Sequence, residues 1–357
     1  MSTTFNILIL GASYGSLLGS KIALAGHAAK LVCLPEEVRL INEKGARVLM
    51  PVKGVEGLVE LNTQTMPGEV SADGPGTVNP ADYDLVALAM QEPQYRSPDI
   101  KDLLDRIVEA KVPCMSIMNM PPLTYLKRIE AIDTDSIKNC YTDASVWAKF
   151  DPALMTLCSP DAQAFRPPTE QINVLQVGLP TNFKVARFES DEHTAILRQL
   201  ELDIQAIRFD TGNGKVELPV KLRLYDSIFV PLAKWSMLMA GNYRCVQKDE
   251  MRPIKEAVHS DIETSRAVYN WVMDLCVSLG GNANELVPFE KYANAALSLV
   301  NPSSAARALA AGAPNIERTD RLVQTIASSK GMQSDVIDRT VELVDGWLEK
   351  NRQKARA

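Results

Sequence analysis

The sequence lacks long apolar runs and an excess of basic residues. No stretch of about 18 consecutive apolar residues occurs, so a membrane-spanning helix is not predicted. The 357 residues include 38 Lys and Arg against 44 Asp and Glu, a net charge of -6, which gives no overall positive field for a polyanion. We therefore expect neither a membrane nor a nucleic acid as a partner.

Cysteine and histidine are also scarce. The six cysteines lie far apart, form no C-x-x-C pair, and have none of the three histidines at ligand spacing. Zinc sites and disulfide frameworks need such clusters, so we expect reduced thiols and no metal centre. Because no basic segment precedes the first short apolar run, we expect no leader peptide and a cytoplasmic protein.

The residues that are present describe a globular chain, with 46% hydrophobic and 23% charged residues, long enough for two domains. In the first part, buried-strand patterns alternate with helical ones: strands at 5–10, 29–34, 84–90 and 112–118, helices at 16–25 and 100–110. Such alternation predicts an α/β domain with a doubly wound parallel sheet.

Beyond residue 150 we predict strands at 172–177, 184–188 and 204–209, with a helix at 192–202. After the Gly212–Gly214 turn the periodicity is helical only, at 222–246, 260–279, 288–299, 302–311 and in two helices from Arg318 and Ser334. We therefore place one domain at 1–214 and an all-α domain at 215–357.

A glycine-rich turn, Gly11-Ala12-Ser13-Tyr14-Gly15, joins the first strand to the first helix. A tight turn of this kind lets backbone N–H groups approach a pyrophosphate, as in Rossmann domains. The match to G-x-G-x-x-G is imperfect, because Ser13 takes the second glycine position and Gly15 comes one residue early. The alternative interpretation is a strand-to-helix turn that simply needs glycine.

The acid that binds the adenosine ribose in such folds lies about 20 residues beyond the glycines. Glu36 and Glu37 are near that place, and an acid there favours NAD over NADP because it repels a 2′-phosphate. A helix start after Pro35 with its acids facing solvent explains the same residues equally well.

Two further segments contain candidate catalytic or binding residues. Lys234, Leu238 and Asn242 are spaced i, i+4, i+8 along one stripe of a largely apolar helix, where a lysine is either ion-paired structurally or tuned for acid–base work. Asn301 and Pro302 resemble an N-cap and first helical residue, and Ser304 with the first-turn N–H groups could receive a carboxylate. Capping alone explains the second motif.

In combination, these segments resemble the ketopantoate reductase (2-dehydropantoate 2-reductase) family over almost the whole chain. The landmarks are Gly11–Gly19, Leu24–His27, Asp84–Gln94, Ser116–Asn119, Lys234 with Asn242, Asn301–Ser304, and Glu317. The resemblance implies an N-terminal Rossmann domain and a C-terminal helical domain of the 6-phosphogluconate dehydrogenase type.

The resemblance also implies roles for individual residues. Lys234 matches the catalytic lysine that gives a proton to the substrate carbonyl while hydride arrives from the nicotinamide. Glu317 matches an acidic residue near the nicotinamide and that lysine. Asn119 lies where the family contacts nicotinamide and substrate. The substrate-binding matches are Asn119, Asn242, Asn301 and Ser304. The implied ligands are NAD(P)H and a small 2-oxo acid.

Several positions depart from the family pattern. Leu238 replaces a further asparagine, so the substrate is expected to differ from ketopantoate. Leu34 and Gln91 replace basic residues that bind the 2′-phosphate, which slightly favours NAD(H) over NADP(H), although Arg39 or Lys30 could compensate. In addition, Asn119 is followed by Met-Pro-Pro in place of glycine, and Glu317 lies one residue further from Ser304 than expected.

We therefore predict an NAD(P)-dependent oxidoreductase that reduces a small 2-oxo acid. The alternatives are an opine or hydroxyacid dehydrogenase on the same scaffold, a dinucleotide-sensing protein without turnover, and a purely structural helical oligomer. Apolar residues at 271–279 and 341–348 would suit a homodimer interface, although packing against the core of one chain is the favoured explanation.

Overall fold

A computed structural model describes residues 4–356. Its contacts divide the chain into two units. The sheet unit comprises the chain up to Met90, Gln94–Tyr125 and Ser145–Asp226. The helical unit comprises Gln91–Pro93, Leu126–Ala144 and the chain from Ser227 onward.

The strands and helices are numbered in chain order. The strands are β1 (Asn6–Leu10), β2 (Ala28–Val32), β3 (Arg47–Pro51), β4 (Leu58–Asn62), β5 (Glu69–Asp73), β6 (Leu85–Leu88), β7 (Cys114–Ile117), β8 (Met155–Pro160), β9 (Gln163–Phe165), β10 (Val174–Leu179), β11 (Phe183–Ala186), β12 (Phe209–Asp210), β13 (Lys215–Val216) and β14 (Leu222–Tyr225). The helices are α1 (Ser13–Leu24), α2 (Pro35–Lys44), α3 (Pro98–Ala110), α4 (Leu123–Leu126), α5 (Asp191–Ala206), α6 (Lys234–Met237), α7 (Ile254–His259), α8 (Ile262–Ser278), α9 (Phe289–Ala296), α10 (Ser304–Ala310), α11 (Thr319–Ser329) and α12 (Asp335–Arg356).

The main sheet has eight strands in the order β14-β11-β8-β7-β6-β1-β2-β5. All neighbours are parallel except β8 and β11, which are antiparallel. The predicted α/β unit with a parallel sheet and a helical second unit are confirmed. From the central β1 the chain proceeds to β2 and β5 on one side, then returns to β6 on the other. Ligands of such sheets bind at this reversal, beyond the carboxyl ends of the strands.

Helix α1 is buried on nearly all sides, because it packs against the main sheet and also against a small sheet of order β4-β3-β10-β9. Every residue from Gly15 to Ala23 is buried. At Gly15 an added Cβ would lie 3.0 Å from the Ile9 side chain, so any larger residue would push that side chain aside where α1 approaches β1. The sequence indicated only one strand of the small sheet, near β10.

In the helical unit, α12 packs along α11 through one apolar stripe. The stripe has helical spacing and is buried: Ile337, Val341, Val344 and Leu348. The apolar residues expected at a dimer interface in 271–279 are mostly buried as well, with Val277 an exception at 42% exposure. The apolar residues of these two segments belong to the core and so do not support a dimer interface there. Homodimerisation stays a prediction.

Two predicted elements were wrong. The strand expected at 204–209 is helical up to Ala206, because Leu197, Leu200 and Ile204 continue the buried stripe of α5. The helix expected at 222–246 begins as strand β14, whose Leu222 and Leu224 alternate with polar residues and pair with β11. The helix predicted at 260–279 is present as α8, which begins at Ile262 after its N-cap Asp261; α7 before it was not predicted.

The division between units also differs from the expected one at residue 214, because β14 completes the main sheet before the chain enters the helical unit at Ser227. Residues 126–144 belong to the helical unit, which no local pattern indicated. Among residues 4–356, no helix combines the length and apolar character needed to cross a bilayer.

Lys21, on α1 in the sheet unit, is a buried cation with 2% exposure. Its Nζ donates to the carbonyl of Pro219 at 2.6 Å and lies 3.8 Å from Sδ of Met50. Burial, with a smaller contribution from nearby Lys221, lowers the pKa of Lys21 from 10.5 to about 7.

This shift predicts a pH-dependent stability. Between pH 7 and 10.5 the unfolded chain holds the Lys21 proton more often than the folded chain, so the free energy of unfolding rises with pH, by at most about 1.4 kcal/mol per pH unit. Lys21→Met should flatten this slope and stabilise the protein more at pH 6 than at pH 10. Urea unfolding across this range measures it. The exposed Lys53→Met is the control, and equal slopes in wild type and Lys21→Met would contradict the account.

Candidate active site

The glycine turn after β1 lies at the reversal point of the main sheet. Gly11 has φ +102°, and its N–H donates to the carbonyl of Val32 at 2.8 Å, which ties the turn to the end of β2. A Cβ at Gly11 would lie 2.7 Å from Cγ of Met90 and 2.9 Å from the carbonyl oxygen of Ala89. Glycine is therefore required here both by conformation and by the approach of the chain after β6.

The N-terminus of α1 fits an anionic ligand. The N-cap is Ala12, whose side chain cannot accept hydrogen bonds from the first-turn N–H groups, and that turn contains no acid. The Ser16 hydroxyl donates to the carbonyl of Ala12, and no side chain caps this helix start among the described residues. Tyr14 donates from its hydroxyl to the carbonyl of Ala162 at 3.0 Å and so anchors the turn within the sheet unit. The chemistry suits a pyrophosphate.

The end of β2 differs from the expectation at one of its two acids. Glu37 is buried: it accepts a hydrogen bond from the N–H of Leu34 at 3.0 Å, which caps α2, and it forms an ion pair with Arg166. Glu36 and Leu34 are exposed, Leu34 at 64%. Of the two acids, Glu36 is thus the one available to a ribose. Sequence reasoning missed Arg166, which lies far away in the chain.

The remaining predicted residue of the sheet unit, Asn119, is half-buried and follows β7 by two positions. Because β1 and β7 are both parallel to β6, Asn119 lies at the same carboxyl edge of the sheet as Gly11. Gln91, in contrast, is exposed and is assigned to the helical unit.

In the helical unit, Lys234 is the first residue of α6 and is half-buried. The regular stripe predicted for Lys234, Leu238 and Asn242 is wrong, because α6 continues as a π-helical turn, Leu238–Asn242. In this turn the N–H of Tyr243 donates to the carbonyl of Leu238, five residues back. A π-turn is wound less tightly than an α-helix, so Asn242 is rotated away from the position that it would have in an α-helix. Asn242 is half-buried, and Leu238 is buried in the core.

The π-turn is held by two side-chain hydroxyls from elsewhere in the unit. Tyr292 of α9 donates to the carbonyl of Met237 at 3.0 Å, just before the turn. Ser303 donates to the carbonyl of Asn242 at 2.7 Å, at the end of the turn. A Cβ on Gly241 would collide with the Tyr292 hydroxyl, so glycine at this position gives the tyrosine its space.

Ser303 also corrects the predicted cap of α10. Its hydroxyl accepts from the N–H of Ala306 at 3.2 Å, which makes Ser303 the N-cap in place of Asn301. Asn301 lies further back, is exposed, and accepts from the N–H of Ile254 through its carbonyl. Ser304 is the first residue of α10 and is exposed. The cap therefore joins the Ser304 segment directly to the π-turn.

Glu317 is buried and is fixed through its main chain to the residue that follows the π-turn. Tyr243 donates from its hydroxyl to the carbonyl of Glu317 and accepts from the N–H of Thr319 at 3.1 Å. The next residue, Arg318, holds the buried Asp320 with two hydrogen bonds of 3.0 and 2.9 Å. This buried ion pair anchors the segment that presents Glu317.

A second buried acid, Glu92, contacts Glu317. The N–H of Glu92 donates to Oε1 of Glu317 at 3.4 Å. Its own carboxylate accepts from the N–H and hydroxyl of Thr142 at 3.0 and 2.8 Å. Burial raises the pKa of Glu92, and the Thr142 hydrogen bonds oppose that change. Sequence reasoning missed Glu92 because its partners lie in distant parts of the chain.

Taken separately, each unit thus assembles part of the predicted site. In the helical unit, hydrogen bonds connect the π-turn containing Asn242 to the segments of Ser304 and Glu317. In the sheet unit, the carboxyl ends of parallel strands collect Gly11, Asn119 and the β2 end. Among residues 4–356, no group of three His, Cys, Asp or Glu side chains has the arrangement of a metal site.

No protein-family model and no curated protein matches the chain, but solved structures match nearly all of it. The chain has the fold of ketopantoate reductases. The 2-dehydropantoate 2-reductase from Methylococcus capsulatus superimposes with a TM-score of 0.65 at 12% identity, over 97% of each chain. The ketopantoate reductase from Ralstonia eutropha JMP134 gives 0.60 at 15% identity, over 97% of this chain and 99% of that one.

A D-mandelate dehydrogenase, solved with NADH and anilino(oxo)acetate, has the same fold. Its TM-score is 0.63 at 14% identity, over 97% of this chain and 99% of that one. At such identities the likeness establishes the fold, and the activity has to be argued from the residues of the site.

The packing of Gly241 against Tyr292 predicts the effect of a single methyl group. Gly241→Ala should destabilise the protein by about 1–3 kcal/mol, because the methyl displaces the Tyr292 hydroxyl from the carbonyl of Met237. Urea unfolding of the variant and wild type measures this.

Two further variants make the test specific. Gly346→Ala lies in α12 with open space around its Cβ, and it should be neutral or stabilise by roughly 0.5–1 kcal/mol. Adding Tyr292→Phe to Gly241→Ala should cost less than the sum of the single changes. Additive losses in the double variant would refute the proposed contact.

Proposed function

We propose that the protein is an NAD(P)-dependent oxidoreductase that reduces a small 2-oxo acid to the 2-hydroxy acid, with Lys234 as the general acid. The observation that supports this best is the π-turn after Lys234. Its ends bind the Ser303–Ser304 segment and, through Tyr243, the main chain of Glu317. The residues so connected are those to which the family resemblance gives substrate and catalytic roles.

The reaction needs a hydride at the carbonyl carbon and a proton at the carbonyl oxygen. The nicotinamide, when bound, supplies the hydride. Lys234 supplies the proton from Nζ, and its positive charge stabilises the oxygen as negative charge develops there. Ser304 and Asn301, both exposed, are assigned to the substrate carboxylate and its neighbouring oxygens, and Asn242 to the reacting carbonyl end.

Glu317 is assigned to hold Lys234 in its protonated, oriented state. The N–H of Glu92 donates to the Glu317 carboxylate, and the Tyr243 hydroxyl donates to the main-chain carbonyl of Glu317. These two hydrogen bonds restrict the position of the carboxylate. A buried carboxylate near a lysine favours the charged form of the lysine, which is the form that gives the proton.

The dinucleotide is assigned to the sheet unit. Backbone N–H groups at the uncapped start of α1 suit its pyrophosphate, Glu36 suits its ribose hydroxyls, and Asn119 suits the nicotinamide end. NADH is favoured over NADPH, since Leu34 offers no charge to a 2′-phosphate and Glu36 repels it. Arg166 does not reverse this, because it is already paired with Glu37.

The same residues would serve a hydroxyacid dehydrogenase working in the opposite direction, with neutral Lys234 as the base. The D-mandelate dehydrogenase of the same fold makes this the second candidate. Because Leu238 replaces a polar residue, the expected substrate in either direction is an acid other than ketopantoate.

Replacing Lys234 tests the proposed chemistry. Lys234→Ala should lower kcat by about 10²–10⁴-fold, because general acid catalysis is lost, while NADH binding stays within a few-fold of wild type. The measurements are steady-state turnover with a 2-oxo acid and a fluorescence titration with NADH. Lys330→Ala, at the end of α11, is the control. Turnover that survives in Lys234→Ala would remove the lysine from the mechanism.

Replacing Leu34 tests the proposed cofactor preference. Leu34→Arg should tighten NADPH binding about tenfold with little effect on NADH, because a guanidinium at the end of β2 can bind a 2′-phosphate. The same change at Leu202, an exposed leucine of α5, is the control. Wild-type protein that already prefers NADPH, or a Leu34→Arg variant with unchanged preference, would contradict the assignment.

A further inference from the structure

The helical unit contains a basic pocket that the proposed reaction does not use. We define the basic pocket by the residues that line it: Arg244, Val246, Gln247, Lys248, Arg252, Asp335, Val336, Arg339, Thr340 and Leu343. Its volume is about 460 Å³, enough for a small organic molecule. None of its lining residues is a candidate catalytic or substrate residue.

The charge of this pocket is opposite to that of the whole chain. Four of its lining residues are cationic and one, Asp335, is acidic, whereas the chain carries a net charge of -6. Lys248 and Arg339 are exposed, and Arg339 contributes only an exposed pair with Glu342 at 3.3 Å. Such a pair is worth little, so Arg339 can turn toward a ligand at small cost.

Arg244 is the buried member of the group, with 8% exposure. Its Nη1 donates to the carbonyl of Ala240 at 3.2 Å and to the hydroxyl of Ser265, both of which are neutral. Within residues 4–356 no carboxylate lies within 4 Å of its guanidinium. A buried guanidinium is ordinarily balanced by a carboxylate, because taking its charge out of water is costly.

Arg252 is held beside Arg244 without an acid of its own. Its Nε donates to the carbonyl of Arg244 at 3.0 Å, and Nη1 donates to the hydroxyl of Ser260 at 3.3 Å. Burial lowers the pKa of Arg244, and the charge of Arg252 lowers it further. The charge of Asp261 raises the pKa of Arg244, but the Asp261 carboxylate is already engaged as the N-cap of α8.

We propose that the basic pocket is a binding site for a phosphate group, carried by a small metabolite or free in solution. The guanidinium groups of Arg244 and Arg252, together with Lys248 and Arg339, carry more positive charge than a monocarboxylate would neutralise. A guanidinium group can also donate two parallel hydrogen bonds to two oxygens of one phosphate. The volume beyond that of a phosphate ion leaves space for the rest of a phosphomonoester. None of the lining residues of the basic pocket is among those assigned to the dinucleotide or to the 2-oxo acid.

The test is calorimetric titration of the full-length protein, without nicotinamide, in a low-anion buffer. Inorganic phosphate and glycerol phosphate are the probes, and sodium chloride at matched ionic strength corrects for screening. Saturable binding of one phosphate group per chain is expected. Tighter binding of glycerol phosphate identifies a metabolite as the occupant, and tighter inorganic phosphate identifies the free ion.

Variants locate the binding. Arg252→Gln and Lys248→Gln should each weaken phosphate binding roughly tenfold or more. Arg198→Gln, which removes an exposed arginine from α5, should leave it unchanged. Since Arg252 and Lys248 are less buried than Arg244, their variants are the ones expected to fold. The proposal is overturned if wild type shows no saturable binding, or if Arg198→Gln weakens it as much as Arg252→Gln does.

Discussion

The candidate site depends on the under-winding of one helix. Between Leu238 and Asn242 the chain makes a π-turn, and hydroxyl groups of Tyr292 and Ser303 bind the carbonyls at its two ends. The hydroxyl of Tyr243 then fixes Glu317 to the same turn. One local irregularity thereby sets the positions of several polar groups.

The two units contribute different chemistry. The sheet unit offers backbone N–H groups at a turn where Gly11 alone fits, and these suit a large anion. The helical unit offers a lysine, amides and the buried acids Glu92 and Glu317, with the main-chain N–H of Glu92 donating to the Glu317 carboxylate. Such groups suit proton transfer and the binding of a small acid. An oxidoreductase of the nicotinamide class needs both sets.

Local patterns predicted the parts of the structure that local forces determine. The strands β1, β2, β6 and β7 were identified because each is a short apolar run beside a turn, and Gly11 because its turn tolerates little else. The π-turn was not predicted, since it depends on Tyr292 from another helix. Glu92 and Arg166 were missed for the same reason: each contacts a residue that lies more than a hundred positions away in the sequence, Glu317 and Glu37 respectively.

The most direct test of the account is a single-turnover measurement with wild-type protein. NADH is mixed with the protein and a panel of 2-oxo acids, nicotinamide oxidation is followed by absorbance, and the product is identified by mass spectrometry. The account predicts that at least one acid oxidises NADH stoichiometrically and yields its 2-hydroxy acid. Tight NADH binding with neither oxidation of NADH by any 2-oxo acid nor reduction of NAD by any 2-hydroxy acid would instead identify a dinucleotide sensor.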